Sequence, residues 1–315
     1  MTEQTHDVVI IGGGPAGLTA ALFAGRARLD ALLLEAALPG GEMALSNLVE
    51  AYPGFPDGIS GFELGELMRR QAESFGARLV STRAERLRRE GELWVVECDD
   101  GRYPGRTVIV ATGERHRKLG IPGEAELEGR GVSHHAARDG SHFRDRPVAI
   151  IGGDNAAAEA AEFLTRFCSR VLLVHDREQM KAEQILQERL QADAKIEIRT
   201  GTAVARIIGK DEVDSITLRQ IGQDGSEITE AVAGVFVLSG WEPNSELLRG
   251  VADLDSEGYA LAGEDTVTTA PGVFAAGDVR SKIIRRPTTA VADGAVAVHM
   301  AGLLLNGGKP LGGDT

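Results

Sequence analysis

Gly12, Gly14 and Gly17 form a Gly-x-Gly-x-x-Gly run, and Glu35 stands 18 residues beyond its last glycine. These residue types at this spacing suit one chemistry, the binding of a dinucleotide. Gly12 permits a tight turn, Gly14 lets the backbone approach a pyrophosphate, and Gly17 lets a helix pack closely on a strand. The N-terminus of the following helix attracts phosphate, and Glu35 can accept hydrogen bonds from a ribose diol. A second run, Gly152-Gly153-Asp154-Asn155-Ala156-Ala157, has an aspartate where Gly14 stands in the first. The only two cysteines, Cys98 and Cys168, are 70 residues apart. That spacing excludes a C-x-x-C redox pair, a thiolate zinc site and a disulfide scaffold. His134 and His135 are adjacent and His142 is isolated, so no metal site is expected.

Both glycine runs need a strand before them and a helix after them, and the sequence supplies both. Asp7-Val8-Val9-Ile10-Ile11 and Pro147-Val148-Ala149-Ile150-Ile151 are short apolar runs that end in glycine. An Ala-rich stretch follows each, and then a second apolar run, Ala31 to Glu35 or Val171 to His175. Ile10 to Glu35 and Ile150 to His175 both span 25 residues. Strand, helix, strand at this spacing is a βαβ unit on a parallel sheet, so the fold class is α/β with two Rossmann-like, ββα three-layer domains. Arg78 to Arg102 and Ile196 to Leu218 read as short strands with polar turns. Thr107 to Gly113, Gly234 to Gly240 and Gly272 to Asp278 read as buried strands ending in small residues. Thr288 to Leu305 is apolar at helical spacing, and Phe163 to Ser169 reads as helical around Cys168.

The 315 residues carry 34 basic and 47 acidic side chains, for a net charge of -13. This balance argues against nucleic acid or an anionic membrane as a partner. Val8 to Gly25 is an uncharged stretch of 18 residues, but Gly12-Gly13-Gly14-Pro15 interrupts it as a continuous helix. No basic segment precedes it, so the expected location is the cytoplasm, with no membrane association. Glycines number 40, well above the roughly 7% of an average chain.

With Gly40-Gly41, Pro53-Gly54-Phe55, Ala111-Thr112-Gly113 and Gly277-Asp278 added to the first glycine run, the chain resembles the low-molecular-weight thioredoxin reductase family. The resemblance covers nearly the whole chain. It implies FAD as cofactor, a homodimer, and an FAD domain (1–113 and 241–315) split around an inserted NAD(P)H-type domain (114–240). The FAD contacts it implies are Gly12, Gly14, Pro15, Ala16, Gly17, Glu35, Gly40, Gly41, Glu42, Asn47, Ala111, Thr112, Gly113, Gly277, Asp278, Arg285, Arg286 and Pro287. Asp278 matches the family's ribityl contact, Arg285 an Arg that lies against FAD, and Asp293-Gly294-Ala295 the helix beneath the flavin.

Three departures from the family bear on mechanism. The family's Ser-x-Cys-x-x-Cys-Asp-Gly reads here Ser133-His134-His135-Ala136-Ala137-Arg138-Asp139-Gly140, with His135 and Arg138 in place of the cysteines. Neither can form a disulfide, so thioredoxin reduction by that route is excluded. Asp154 replaces a phosphate-loop glycine. Two like charges about 4 Å apart cost on the order of 4 kcal/mol at an effective dielectric near 20, or about three decades of affinity. The side chain could avoid part of this by swinging to solvent. The family's His-Arg-Arg and a later Arg, which read a 2′-phosphate, become His175, Asp176, Arg177 and Lys181, and neither Lys nor Asp repeats the Arg fork. NAD(P)H binding is therefore expected to be weak or lost.

The expected function is an FAD-dependent oxidoreductase without a dithiol relay, exchanging electrons directly at the flavin. Its donor would be weakly bound NAD(P)H or a redox protein such as ferredoxin. His135 and Asp139 are candidates for proton transfer beside the flavin, or polar fillers of a vacated site. Two alternatives stand beside this: an NAD(P)H oxidase or ferredoxin–NADP reductase-like enzyme, and a non-catalytic flavin-bound scaffold or sensor. Arg280, Lys282, Arg285 and Arg286 form a basic patch that could face an acidic electron-transfer partner. Arg115 to Lys118 reads as a solvated connector or a docking segment.

Overall fold

A computed structural model describes residues 4–222 and 227–308. The ends of the expected FAD domain, 1–3 and 309–315, lie outside the described residues. The chain divides into two compact units, one formed by 1–115 with 242–315 and the other by 116–241.

Along the chain, the first segment contains β1 (His6–Ile11), α1 (Pro15–Arg26), β2 (Ala31–Glu35), α2 (Gly61–Ser74), β3 (Arg78–Ser81), β4 (Ala84–Glu90), β5 (Leu93–Cys98), β6 (Gly101–Val110) and β7 (Glu114–His116). The inserted segment contains β8 (Val132–Ser133), α3 (Ala136–Asp139), β9 (Pro147–Ile151), α4 (Asn155–Leu164), β10 (Arg170–Val174), α5 (Gln184–Ala192), β11 (Ile196–Arg199), β12 (Thr202–Gly209), β13 (Val213–Gln220), β14 (Glu227–Ala231) and β15 (Gly234–Val237). The chain returns through β16 (Trp241–Pro243) and ends with β17 (Val273–Ala275) and α6 (Pro287–Leu305).

In the first unit the strand order is β3-β2-β1-β6-β5-β4. β1, β2, β3, β6 and β17 are parallel neighbours, while β4 and β5 form an antiparallel meander. One edge of β6 is shared along its length. Its first half pairs with β5 from Gly101 to Gly105, and its last residues, Val108 to Val110, pair with β17. The central parallel strands β1, β2 and β17 are buried on both faces, which is why β1 reads as a continuous apolar run, whereas the edge strand β3 is partly exposed. Alternate residues serve opposite layers. Ile10, Leu33 and Ile109 pack with α1 and α6, whereas Val9, Leu32, Leu34 and Val108 pack with the meander residues Leu87, Trp94 and Val96.

The second unit repeats this plan. Its parallel sheet runs β11-β10-β9-β15-β8, and a separate antiparallel sheet runs β12-β13-β14. Ile150, Leu173 and Phe236 face the helices, while Ile151, Leu172 and Val237 face the meander. The fold is α/β, with two Rossmann-like units and the second inserted into the first.

Among the described residues, α6 is the one helix long and apolar enough to cross a membrane by length and composition. It packs instead on α1, and a side chain at Gly294 would collide with the Ala16 carbonyl. The helix expected from Phe163 to Ser169 around Cys168 stops short of it. α4 ends at Leu164, so Cys168 lies in the turn beyond it, fully buried, its N–H still bonded to the Leu164 carbonyl at 2.8 Å.

Candidate functional site

The first glycine run forms the turn from β1 into α1. Gly12 has φ +103°, and a Cβ there would collide with the Ala111 carbonyl at the end of β6. Gly17 faces the Gly12 carbonyl just as closely. Gly14 differs, because the nearest atom to a Cβ there is the Gly41 Cα at 4.0 Å. Its side faces open space bordered by Gly41, a cradle that any side chain would fill. α1 begins with Pro15, has no side-chain cap and carries no acid in its first turn. Its dipole and free N–H groups are therefore left for an anionic ligand. Ala16 and Gly17 are buried in this first turn.

Around that cradle, Glu35 at the end of β2 accepts from the Gly13 N–H and, at 2.7 Å, from the Ala37 N–H. These bonds aim the carboxylate and leave lone pairs for further donors. The Gly40 N–H donates to the Gly13 carbonyl at 2.7 Å, tying the Gly40-Gly41 turn to the first glycine run. Burial pushes Glu42 up to about 6. Asn47 is exposed. Ala111 is buried, and Gly113 has φ +67° with open space at its Cβ position. Asn244 clamps this loop: its N–H donates to the Gly113 carbonyl (2.9 Å), its Nδ2 donates to the Thr112 carbonyl (2.9 Å), and its carbonyl accepts from Thr112 Oγ1 (2.6 Å). No short-range sequence signal marks Asn244, which lies over 100 residues from its partners.

At the end of β17, Gly277 has φ +80°, and its N–H donates to Asp293 Oδ2 at 3.0 Å. Asp278 pairs with Lys282 at 2.8 Å. Asp293 is buried, which alone would raise its pKa, but the Arg280 fork (2.9 and 2.8 Å) and Lys282 hold it below the usual carboxylate range. The basic patch is thus not a free surface. Arg280 and Lys282 turn inward, their side chains 12% and 6% exposed, because Asp293 on α6 supplies a buried counter-charge. Arg285 lies against Glu114, Arg286 is exposed, and Pro287 opens α6.

In the second unit, Gly152 again ends the strand, but Asp154 is now the N-cap of α4. Its Oδ1 accepts from the Ala157 N–H at 3.1 Å. Burial raises the Asp154 pKa, opposed by bonds from the helix N–H groups and by Trp241. The carboxylate has not swung to solvent; it caps the first turn of α4. His175 is 4% exposed, and burial lowers its pKa, so it is neutral near pH 7. Asp176, Arg177 and Lys181 are exposed, with Arg177 at 4.0 Å from Asp176.

The residues at the family's cysteine positions come together on one short turn. Ser133 Oγ donates to Asp139 Oδ2 (2.6 Å) and accepts from the His135 N–H (3.0 Å). Arg138 forks onto Asp139 at 2.8 Å twice and holds that carboxyl below its ordinary range. Asp139 is therefore ionised near neutral pH and cannot serve there as a proton donor. Burial and the charge of Arg138 lower the His135 pKa. His116 lies over Trp241 with ring centroids 3.9 Å apart, and burial pushes it down to about 3. The connector residues are engaged: Arg115 with Glu242 and Glu246, Arg117 with the Trp241 carbonyl, and Lys118 with Glu128. Burial raises both cysteine thiols to about 11, so neither is a thiolate near neutral pH.

The chain matches the pyridine nucleotide-disulphide oxidoreductase family over residues 6–294 and belongs to it. Within that family it is thioredoxin reductase-like. It is 44% identical over 298 residues to a thioredoxin reductase of Mycolicibacterium smegmatis, covering 94% of this chain and 96% of that one. It is 42% identical to a thioredoxin reductase of Listeria innocua, covering 94% and 92%. The crystal structure of Lactococcus lactis thioredoxin reductase superposes with a TM-score of 0.93 at 36% identity, covering 96% and 99%.

Proposed function

We propose that this protein is an FAD-dependent oxidoreductase of the thioredoxin reductase fold that works without a dithiol relay. The observation that carries the reading is the pair His135 and Arg138 at the family's cysteine positions, in a chain whose two thiols are both protonated near neutral pH. The open Gly14 cradle, the uncapped α1 and the oriented Glu35 fit the pyrophosphate and ribose of FAD. Asp278 and Arg285 are the other contacts offered to the cofactor, and Asn244 fixes the Thr112-Gly113 loop beside them.

When bound, the flavin supplies two-electron exchange between a donor and an acceptor. The protein's own residues bind and orient it, and Asp293 fixes the loop that carries Asp278. In the inserted unit the Asp154 carboxylate opposes a nucleotide's phosphates, so NAD(P)H is a poor donor. A reduced redox protein such as a ferredoxin, supplying one electron in each of two encounters, then becomes the favoured donor. His135 is the proton acceptor proposed beside the flavin, a weak one because burial and the charge of Arg138 disfavour its protonated form. A homodimer belongs to the same proposal through the family resemblance.

The test uses purified, flavin-loaded protein reduced anaerobically by dithionite and mixed with oxidised thioredoxin. The flavin is expected to remain reduced and the thioredoxin disulfide intact. Reoxidation of the flavin with appearance of two thioredoxin thiols would overturn the proposal.

A further inference from the structure

Glu114, at the start of β7, is 9% exposed and has charged company. Its Oε2 accepts from the Tyr259 hydroxyl at 3.1 Å and lies 3.4 Å from Arg285 Nε. The Arg285 guanidinium sits 3.9 Å over the Tyr259 ring, so the phenol both stacks on the arginine and bonds to its counter-ion. The charged groups facing Glu114 are Asp278 on the turn after β17, and Lys282 and Arg285 on the segment leading into α6. Burial and the nearby Asp278 raise Glu114 to about 7, against the opposing effects of Arg285, Tyr259 and Lys282. A buried carboxyl in this position changes charge within the physiological range.

Resting on the FAD reading above, we infer that Glu114 is a positioning residue whose protonation sets how much of the Arg285 charge is available to bound FAD. Ionised Glu114 compensates the charge of Arg285. Protonated Glu114 leaves Arg285 as an uncompensated cation facing an anionic cofactor. FAD binding is therefore tighter at lower pH and takes up a proton.

The experiment is a titration of flavin-stripped full-length protein with FAD, followed by quenching of flavin fluorescence, at about pH 6 and about pH 8.5, either side of the ionisation. The dissociation constant should rise about tenfold across that span, the effect of a pKa displaced by about one unit on binding. In Glu114→Gln it should be flat. Tyr259→Phe removes a donor to the ionised form, so pH dependence should persist with its midpoint moved upward. This second variant keeps the inference testable if Glu114→Gln does not fold. Tight FAD binding that is independent of pH in the unaltered protein, or an unchanged pH dependence in Glu114→Gln, would overturn the inference and leave the FAD reading intact. No FAD binding at either pH would overturn both.

Discussion

The N-termini of α1 and α4 stand at equivalent places in two βαβ units built to one plan, and they are finished in opposite ways. α1 starts at Gly14, with no cap, no acid in its first turn and open space at the missing side chain. α4 starts at Asp154, whose carboxylate is bonded to the Ala157 N–H. One helix end is left unsatisfied for a ligand; the other is satisfied by its own chain. On the function proposed above, the residue at the N-cap is what separates the two units, because a capping carboxylate competes with phosphate for the helix dipole.

Exchanging the two caps gives the largest expected effect. Gly14→Asp should place a carboxylate where the FAD pyrophosphate is proposed to bind and weaken retention by about a thousandfold. The measurement is flavin-to-protein ratio after gel filtration; full flavin content would contradict the proposed FAD site at α1. The reverse change, Asp154→Gly, should raise NADPH affinity by about tenfold to a hundredfold, less than the full charge penalty because Asp176 remains. Binding can be followed by nicotinamide fluorescence. The lost cap should cost only a few tenths of a kcal/mol, since glycine is itself tolerated at an N-cap, so about the same melting temperature is expected.

A smaller effect sharpens the same contrast. Burial raises Asp154, so it loses its charge at a higher pH than an exposed aspartate. As pH falls toward that value, the repulsion of a pyrophosphate weakens, and NADH affinity should rise several-fold. Asp154→Asn, neutral throughout, should show no such rise. The smallest effect belongs to the thiols. Cys98→Ser should leave flavin content and the rate of flavin reduction within about twofold, because no relay passes through a protonated thiol. A large loss would contradict the thiol-free reading.

The two parallel sheets were legible in the sequence because buried strands, glycine turns and Ala-rich helices repeat at fixed spacing, which places Ile10 beside Leu33 and Ile150 beside Leu173. The identity of the residue at the α4 cap was legible too, but its direction was not. Whether Asp154 points to solvent or to the Ala157 N–H depends on a rotamer, and composition does not encode it. The basic run after β17 was misread as a surface patch for a similar reason. Arg280 and Lys282 look exposed in a polar segment until α6 brings Asp293 underneath them. Asn244 with Thr112, and Tyr259 with Glu114, pair across the whole length of the inserted unit, and no local pattern reports such contacts.

On the proposed function, the self-capped helix of the inserted unit makes it a poor nucleotide site while the first unit holds FAD. The most direct test mixes flavin-loaded protein anaerobically with NADPH at sub-millimolar concentration and follows the visible flavin band. Little or no bleaching over minutes is the expected result, with Asp154→Gly bleaching faster. Rapid, complete bleaching of the unaltered protein would show that the inserted unit binds NADPH productively and contradict the proposed function.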